Sequence, residues 1–430
     1  MRSLSSDGMR QLGILLKKEL CQLLASRSLL AMLLIFSPLV GYSFIQAVSL
    51  FSEASRSALQ HTELAPGMNP LDGVLVPTLG SLYLVTTLLF PFVAIRPIGM
   101  ERQTGSLKLV LQFPGSVGLL VAAKAIAVFV LWVGALSPAL LALCFFGGMG
   151  GHIHPLELVP LLLGHALYAF VILGAAFLIS ALADSASTAA ILILGLTLGS
   201  WVLDFAAGSQ SPGLLRDLSQ LSLTASIRSF ERGLFSFAVS ARLLIMGVAL
   251  LTSTAACLHA GDTFRSRAKR SAGILVTAIL ACFLVSAVPW YRDFSEDRRN
   301  SLPPEDETAL RQMTGHLKIF VFLSPDDPRY RDLERQLFSK FRRLISGVEI
   351  RLMDTGKTAL FGVGGGDDYG LNRYEYEGKA EESRSTSPRE ILPLLSRLAG
   401  KTEQGTSSFF YPGYPLVADA ERFSRFSFMA

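Results

Sequence analysis

Seven long apolar stretches dominate the first two thirds of the sequence and restrict the folds open to it. They cover residues 29–51, 74–95, 117–146, 158–182, 186–205, 237–259 and 272–290. A bilayer whose hydrocarbon core is about 30 Å thick is spanned by about 20 apolar residues of helix. Backbone groups in lipid must be hydrogen bonded within the chain, and the alternation typical of barrel strands is absent. The pattern therefore predicts seven transmembrane helices.

The distribution of charge divides the chain into two parts. Charged residues are sparse as far as Pro289 and dense from Arg292 onward, which is typical of a boundary between two solvents. We therefore expect an α-helical polytopic membrane protein followed by a small soluble domain. The net charge of +5 is modest, and the Lys and Arg residues fall in short clusters, so we expect no nucleic-acid partner.

The positions of the basic clusters predict the orientation of the spans. Such clusters precede the first span and follow the second and the sixth, within residues 10–27, 96–108 and 265–270. The positive-inside rule assigns these segments to the cytoplasm. The loop after the fifth span departs from the rule, since it carries Arg216, Arg228 and Arg232. An odd number of spans then places the residues after 290 outside, which predicts a bacterial inner-membrane protein with a periplasmic domain.

Two amphipathic stretches predict helices that lie on the membrane surface. Leucines between residues 12 and 24 recur at helical spacing around Lys17 and Lys18, and residues 226–236 mix aromatic with charged side chains. The predicted organisation is an interfacial helix at 1–28, a six-span domain at 29–260, a basic loop with the seventh span at 261–290, a soluble domain at 291–400 and an unassigned tail at 401–430.

The soluble domain has the pattern of a small α/β fold. Strands are predicted at 317–323, 348–353, 371–377 and 379–385, and helices at 329–345 and 388–398. The order β-α-β-β-β-α fits a thioredoxin-like layered structure. The domain has no Cys-x-x-Cys motif, so we interpret it as a binding module without redox chemistry.

A motif lies between the second and third spans. From Glu101 to Ser116 the chain reads ERQTGSLKLVLQFPGS, and Lys124 follows in the next span. This segment resembles the signature of ABC-2 type permeases, E-R-x-x-G-[ST]-L-x-x-L-L-x-x-P-[VG]-S. In that family it forms the coupling helix that docks onto a separate ATP-binding subunit. The resemblance implies this ATPase-coupling role for Glu101, Arg102, Gly105, Ser106, Leu107 and Pro114.

Three further stretches resemble proteins of one branch of that family. Residues 173–205 and the sequence LSLTASIRSFERGLFS are similar to the gliding-motility-associated permeases, and residues 293–302 resemble the opening of their extracytoplasmic auxiliary subunit. The resemblance implies a permease fused to the first part of that auxiliary subunit and paired with a second permease copy. It also implies that ATP is used by the partner subunit, so that this chain is not an enzyme and binds no cofactor. The soluble domain is expected to capture a substrate or an envelope partner, or to relay force.

Other chemistry has less support in the sequence. Gly356, Lys357 and Thr358 end like a phosphate-binding loop, but Arg351 stands where that loop needs its first glycine. His152, His154 and Glu157 have the residue types of a metal site, but alternating residues in one loop seldom close such a site alone. We expect them to be structural or solvated, and we expect no metal.

Ionisable residues within the spans are expensive in lipid and require an explanation. Lys124 and Asp184 are expected to extend to the inner surface, and Asp204 and Arg242 to lie near the outer surface. His165 is the deepest of these residues, and it either lines a translocation path or packs between helices. The leading hypothesis is an exporting permease of unknown substrate. The alternatives are a membrane scaffold that presents the outer domain and an intramembrane hydrolase, for which paired acid and base groups are missing.

Overall fold

The protein divides into two compact units, which are described separately. A computed structural model describes residues 6–61, 67–112, 116–207, 222–259, 261, 263–288, 290–313, 315–324, 327–345, 347–353, 369–400, 411 and 413–414. The first unit, called the helical unit, comprises Met1–Phe205, Asp217–Arg292 and Pro412–Ala430. The second, called the sheet unit, comprises Ala206–Arg216 and Asp293–Tyr411.

The helical unit is a polytopic bundle. Its helices are α1 (Ser6–Leu24), α2 (Arg27–Gln60), α3 (Val76–Leu88), α4 (Phe90–Ala94), α5 (Arg96–Gln103), α6 (Ser106–Val110), α7 (Val117–Ala135), α8 (Ser137–Gly148), α9 (Pro155–Leu182), α10 (Ala186–Ala207), α11 (Leu223–Glu231), α12 (Phe237–Leu258) and α13 (Phe264–Ser286). Within the described residues, seven helical segments are long and apolar enough to cross a membrane. Their positions agree with the seven predicted spans, so the chain is a multi-pass membrane protein.

The second and third spans are each assembled from consecutive helical pieces. A π-helical turn at Leu71–Leu75 leads into α3, which is followed by α4, and the third span consists of α7 and α8. Pro91 lies in the first turn of α4 and Pro138 in the first turn of α8. A proline ring cannot donate a hydrogen bond and clashes with the preceding turn. The breaks, at Leu89 and Leu136, therefore each lie two residues before a proline.

Helix α9 occupies the centre of the bundle, and glycines allow its neighbours to approach closely. A Cβ atom added at Gly164 would lie 2.6 Å from Cβ of Phe230 in α11. A Cβ atom added at Gly247 of α12 would lie 2.4 Å from the ring of Phe170 in α9. Larger residues at these positions would therefore separate the helices.

Two spans lie at the margin of this unit. Only 22% of the fifth span and 6% of the seventh span are buried, against 61% of the fourth span. The apolar side chains that they expose match a hydrocarbon solvent, in which a helix has no need to cover its outer face. The seventh span also begins earlier than the apolar run predicts, because Thr263 caps the amino terminus of α13 by accepting a hydrogen bond from Ser266 N.

Two short strands, β1 (Leu234–Ser236) and β2 (Tyr291–Asp293), pair with each other. Phe237 N also donates a hydrogen bond of 3.0 Å to the carbonyl oxygen of Trp290. The predicted surface helix at residues 226–236 is therefore divided, because α11 ends at Glu231 and the chain continues as a strand.

The sheet unit contains a mixed four-stranded sheet with helices. Its elements are α14 (Pro304–Arg311), β3 (Leu317–Val321), α15 (Pro328–Leu333), a π-helical turn (Glu334–Phe338), α16 (Ser339–Leu344), β4 (Val348–Leu352), β5 (Asn372–Tyr376), β6 (Lys379–Ser383) and α17 (Pro388–Leu398). The strand order is β4-β3-β5-β6; β3 and β4 are parallel, and the other two pairs are antiparallel. A parallel pair needs a crossover, which residues 328–344 supply.

The core of the sheet unit lies between this crossover and the sheet. Phe338 and Phe341 of the crossover are fully buried, as are Ile319 and Val321 on one face of β3. The predicted strands and helices agree with the observed elements to within two residues at each end. Gly356, Lys357 and Thr358, which end like a phosphate-binding loop, lie outside the described residues.

A compact loop opens the sheet unit. The Asp293 carboxylate accepts hydrogen bonds from Ser295 N at 3.0 Å, Asn300 N at 3.0 Å and Ser301 Oγ at 2.9 Å. The loop is held against α16, because Lys340 Nζ donates a hydrogen bond of 2.8 Å to the carbonyl oxygen of Ser301. This is the segment whose sequence resembles the auxiliary subunit.

Candidate functional site

The segment around Glu101 forms two short helices that meet at a glycine. Helix α5 ends at Gln103, and α6 begins at Ser106. Gly105 between them has a φ of +75°, a left-handed conformation that side chains with a Cβ atom rarely adopt. Ser106 Oγ donates a hydrogen bond of 3.3 Å to the carbonyl oxygen of Glu101. The segment is therefore two short helices joined by a turn at Gly105.

A buried cluster of charged side chains anchors this segment. Lys124 Nζ lies 2.8 Å from Oε1 of Glu101 and 2.8 Å from Oε1 of Glu19. The side chains of Lys124 and Glu19 are 1% and 2% exposed, and that of Glu101 is 14% exposed. Lys124 belongs to α7, Glu19 to α1 and Glu101 to α5. One ammonium group thus joins three helices. We call these three residues the charge cluster.

The expectation that Lys124 extends to the inner surface is wrong. Its side chain is enclosed, and its charge is neutralised inside the protein by two carboxylates rather than outside by water. Breaking a buried ion pair by removing one partner is strongly destabilising, because it leaves a charge without compensation. Asp184 lies exposed between α9 and α10.

Arginines on both sides of the cluster attach the segment to two further spans. The guanidinium group of Arg102 donates hydrogen bonds to the carbonyl oxygens of Ser180 and Ala181, at the end of the fourth span. Arg96 donates a hydrogen bond of 2.7 Å to Ser28 Oγ, at the start of the first span. Carbonyl groups in the last turn of a helix have no helical partner, so Arg102 satisfies groups that the helix leaves free.

Glu19 and Glu101 of the charge cluster line a cavity. The cavity has a volume of about 350 Å³, and its lining includes Arg96, Thr104 and Ser106. Lys18 also lines it, with Nζ 3.6 Å from Oε1 of Glu101. The second carboxylate oxygen of Glu101 is buried and has no hydrogen-bond partner among the described residues. The segment therefore has a cavity at its surface, next to a buried group of charged side chains.

The structure brings five of the six predicted coupling residues together. Glu101 and Arg102 face inward and hold the segment in place, and Leu107 is buried against the bundle core. Gly105 and Ser106 form the corner. Pro114 lies outside the described residues.

His165 lies apart from this segment. Arg102 contacts α9 at Ser180, and His165 is fifteen residues earlier in the same helix, about 22 Å along its axis. The imidazole is 1% exposed, and neither ring nitrogen has a hydrogen-bond partner among the described residues. One turn away, the Tyr168 hydroxyl bonds to Thr87 Oγ1 at 2.8 Å. The bundle interior therefore contains polar groups at this depth. The side chain of Asp204 lies outside the described residues, and Arg242 is half-buried in α12.

The loop with His152 and His154 is a packing element. His152 stacks on Tyr414 with ring centroids 3.5 Å apart, and His154 is the residue before α9. Within the described ranges, no group of three or more His, Cys, Asp or Glu side chains is arranged to hold a metal ion.

Sequence reasoning missed Glu19, and one signal could have found it. Leu12, Leu16, Glu19 and Leu23 follow one another at spacings of four, three and four residues, so Glu19 occupies the apolar face of α1. A carboxylate on the buried face of a helix requires a cationic partner. Lys124, in the predicted third span, likewise carries a charge that requires a partner of opposite sign.

Comparison with known proteins adds no assignment. No protein-family model and no curated protein sequence matches this chain.

Proposed function

We propose that the chain is the transmembrane permease subunit of an ATP-driven transporter of the ABC-2 type, working as an exporter in a bacterial inner membrane. A separate subunit hydrolyses ATP and docks at the segment around Glu101, on the cytoplasmic side. A second permease copy completes the translocation unit. The substrate is left open, because similar spans in this class handle lipids, polysaccharides, drugs and ions.

The observation that carries this proposal is the attachment of the Glu101 segment to the spans. A soluble motor can rearrange a membrane domain only through a segment that is rigid and joined to several helices. The charge cluster joins the segment to α1 and α7, and Arg102 joins it to α9. A push on this segment is therefore delivered directly to the third and fourth spans.

We further propose that the sheet unit is a thioredoxin-like periplasmic domain that binds a substrate or an envelope partner. The strand order β4-β3-β5-β6 and the crossover after β3 support this interpretation. The unit follows the seventh span, so the orientation predicted from the basic clusters assigns it to the periplasm.

The alternative is a membrane scaffold in which the spans only anchor the sheet unit. The separate hydrophobic core of that unit favours this alternative, because a domain with its own core can act as a presented binding module. A scaffold needs no ATPase, so the two functions differ in a measurable property.

Co-purification of the full chain with the ATPase encoded by a neighbouring gene tests the proposal. Wild-type protein should retain the ATPase and raise its ATP turnover. Gly105→Trp forces a bulky residue into a left-handed turn and should reduce the retained ATPase to about a tenth or less. Gly148→Trp is the matched control, because Gly148 is exposed and nothing would obstruct its Cβ.

Two outcomes would decide against the proposal. If Gly105→Trp keeps full ATPase binding and coupled turnover, the docking role is wrong. If wild-type protein retains no ATPase that contains a complete phosphate-binding loop, the scaffold is favoured.

A further inference from the structure

An apolar groove runs beside the charge cluster, between α1, α6 and the start of α7. Its volume is about 380 Å³. Most of the side chains that line it are apolar: Ile14, Leu15, Val110, Leu111, Val117 and Leu120. Ile14 is 64% exposed, so the groove opens to the surroundings of the helical unit. Among the described residues that line it, Lys18 is the only cationic one.

The groove lies at the level where the third span enters the membrane. Ser116 caps the amino terminus of α7, and Val117 is the first residue of that span. Both residues line the groove. Its apolar wall therefore continues into the hydrocarbon, while the groove itself lies at the depth of lipid headgroups.

The segments around the groove carry a positive net charge, because residues 8–28 and 96–124 contain eight Lys and Arg residues and two acidic residues. Glu19 and Glu101 are the only acidic residues in 8–28 and 96–124, and both are paired with Lys124. The exposed cations of these segments are left in excess; they include Arg10, Lys17, Lys18 and Lys108. Basic residues at this depth attract anionic lipid headgroups.

We propose that this groove binds a glycerophospholipid with an anionic headgroup, with an acyl chain along the apolar wall and the phosphate beside Lys18. A peptide segment is a poorer occupant, because its backbone would bring polar groups against an apolar wall that offers few partners. An acyl chain has no such groups, and the bilayer supplies it at this depth. The proposal does not depend on the ATPase.

Lipid retention by the full-length protein in detergent tests the proposal. Delipidated protein is mixed with dioleoyl phosphatidylglycerol or with dioleoyl phosphatidylcholine, which has the same acyl chains, and bound lipid is counted by native mass spectrometry. Wild-type protein should retain the anionic lipid in preference to the zwitterionic one.

Two substitutions on one helix locate the binding site. Ile14→Glu places a carboxylate in the groove and should reduce retention of phosphatidylglycerol about tenfold or more. Leu24→Glu is the matched control, because Leu24 has 63% exposure on the same helix but does not line the groove. It should leave retention unchanged.

A third substitution separates the contribution of the lipid headgroup to binding from that of the acyl chains. Lys18→Gln should weaken retention of phosphatidylglycerol about fivefold and leave that of phosphatidylcholine unchanged, since one lysine near anionic lipid contributes about a factor of five. Equal retention of the two lipids by wild-type protein would overturn the proposal. Retention by Ile14→Glu at the wild-type level, or an equal loss in Leu24→Glu, would overturn it as well.

Discussion

Each of the two units buries a lysine, and the two lysines are compensated differently. Lys124 in the helical unit is 1% exposed and lies 2.8 Å from each of two carboxylates. Lys340 in the sheet unit is 8% exposed and donates a hydrogen bond to the neutral carbonyl oxygen of Ser301. The first ammonium group has more negative charge around it than it needs. The second depends on dipoles and on more distant carboxylates.

The difference shows what each lysine does for its fold. Burial and the nearby Arg343 together lower the pKa of Lys340 to about 8, against Asp293, Asp297 and Glu307, which raise it. Its charged form therefore costs free energy in the folded state. Lys124 instead joins three helices, and the buried carboxylates of Glu19 and Glu101 would be costly without it. The sheet unit tolerates the charge of Lys340, whereas the helical unit requires the charge of Lys124.

Removing Lys124 should have the largest effect on the free energy of unfolding. Lys124→Met leaves Glu19 and Glu101 buried with only the exposed Lys18 nearby, and we expect a loss of about 3 to 5 kcal/mol in the free energy of unfolding. Denaturant unfolding of the full chain in detergent measures it. Lys17→Met, on the exposed face of α1, is the control. A loss below about 1 kcal/mol would mean that the cluster does not stabilise the unit.

Lys340 should make the stability of the sheet unit depend on pH. The folded pKa of Lys340, about 8, lies below the ordinary value of 10.5. Between these values the unfolded chain binds more protons, so stability should rise with pH across this window, by about 3 kcal/mol in total. Pulse proteolysis of the sheet unit in the full chain, in urea, compares wild type with Lys340→Met. Parallel pH profiles of the two proteins would contradict the assignment.

Removing every charge of the cluster should cost less than removing one. In the triple variant Lys124→Met, Glu19→Gln and Glu101→Gln, no buried ion remains without a partner. Replacing a whole buried ionic group is often close to neutral, so we expect a loss of at most about 2 kcal/mol relative to wild type. The same unfolding measurement applies. If the triple variant is as unstable as Lys124→Met, the effect comes from lost packing rather than charge.

Lys18 marks the exposed edge of the cluster and should contribute least. Its side chain is 43% exposed, and Nζ lies 3.6 Å from Glu101 and 3.7 Å from Glu19. Solvent screens such a pair, so Lys18→Gln should change the unfolding free energy by less than about 1 kcal/mol. A change as large as that of Lys124→Met would remove the distinction between buried and exposed members.

The local elements could be predicted from the sequence because their causes are local. Apolar length locates the seven spans, and alternation locates β3, whose residues are alternately buried and exposed. Breaks at proline and the corner at Gly105 depend on single residues and their neighbours. What failed was the prediction for Lys124, whose partner in α1 is 105 residues away in the chain.

Partnership across such a distance depends on packing, which apolar periodicity does not encode. The sequence indicates that Glu19 and Lys124 are each misplaced charges, but nothing in their spacing joins them. The contact of Arg102 with the end of α9 is of the same kind, because it uses backbone carbonyl groups that carry no sequence identity. The six predicted coupling residues came from a motif, whereas Glu19, Lys124 and the end of α9, which hold the segment, came from the fold.

The separation of Glu19 and Lys124 also orders the biogenesis of the protein. During synthesis, Glu19 leaves the ribosome 105 residues before the lysine that neutralises it, about 5 to 20 s at ordinary rates of translation. Through that interval the first helix carries a carboxylate on its apolar face with no counterion from the third span. Helix α1 can pack against the third span only after that span has been inserted. The first helix of the chain is therefore placed later than a span that follows it in the sequence.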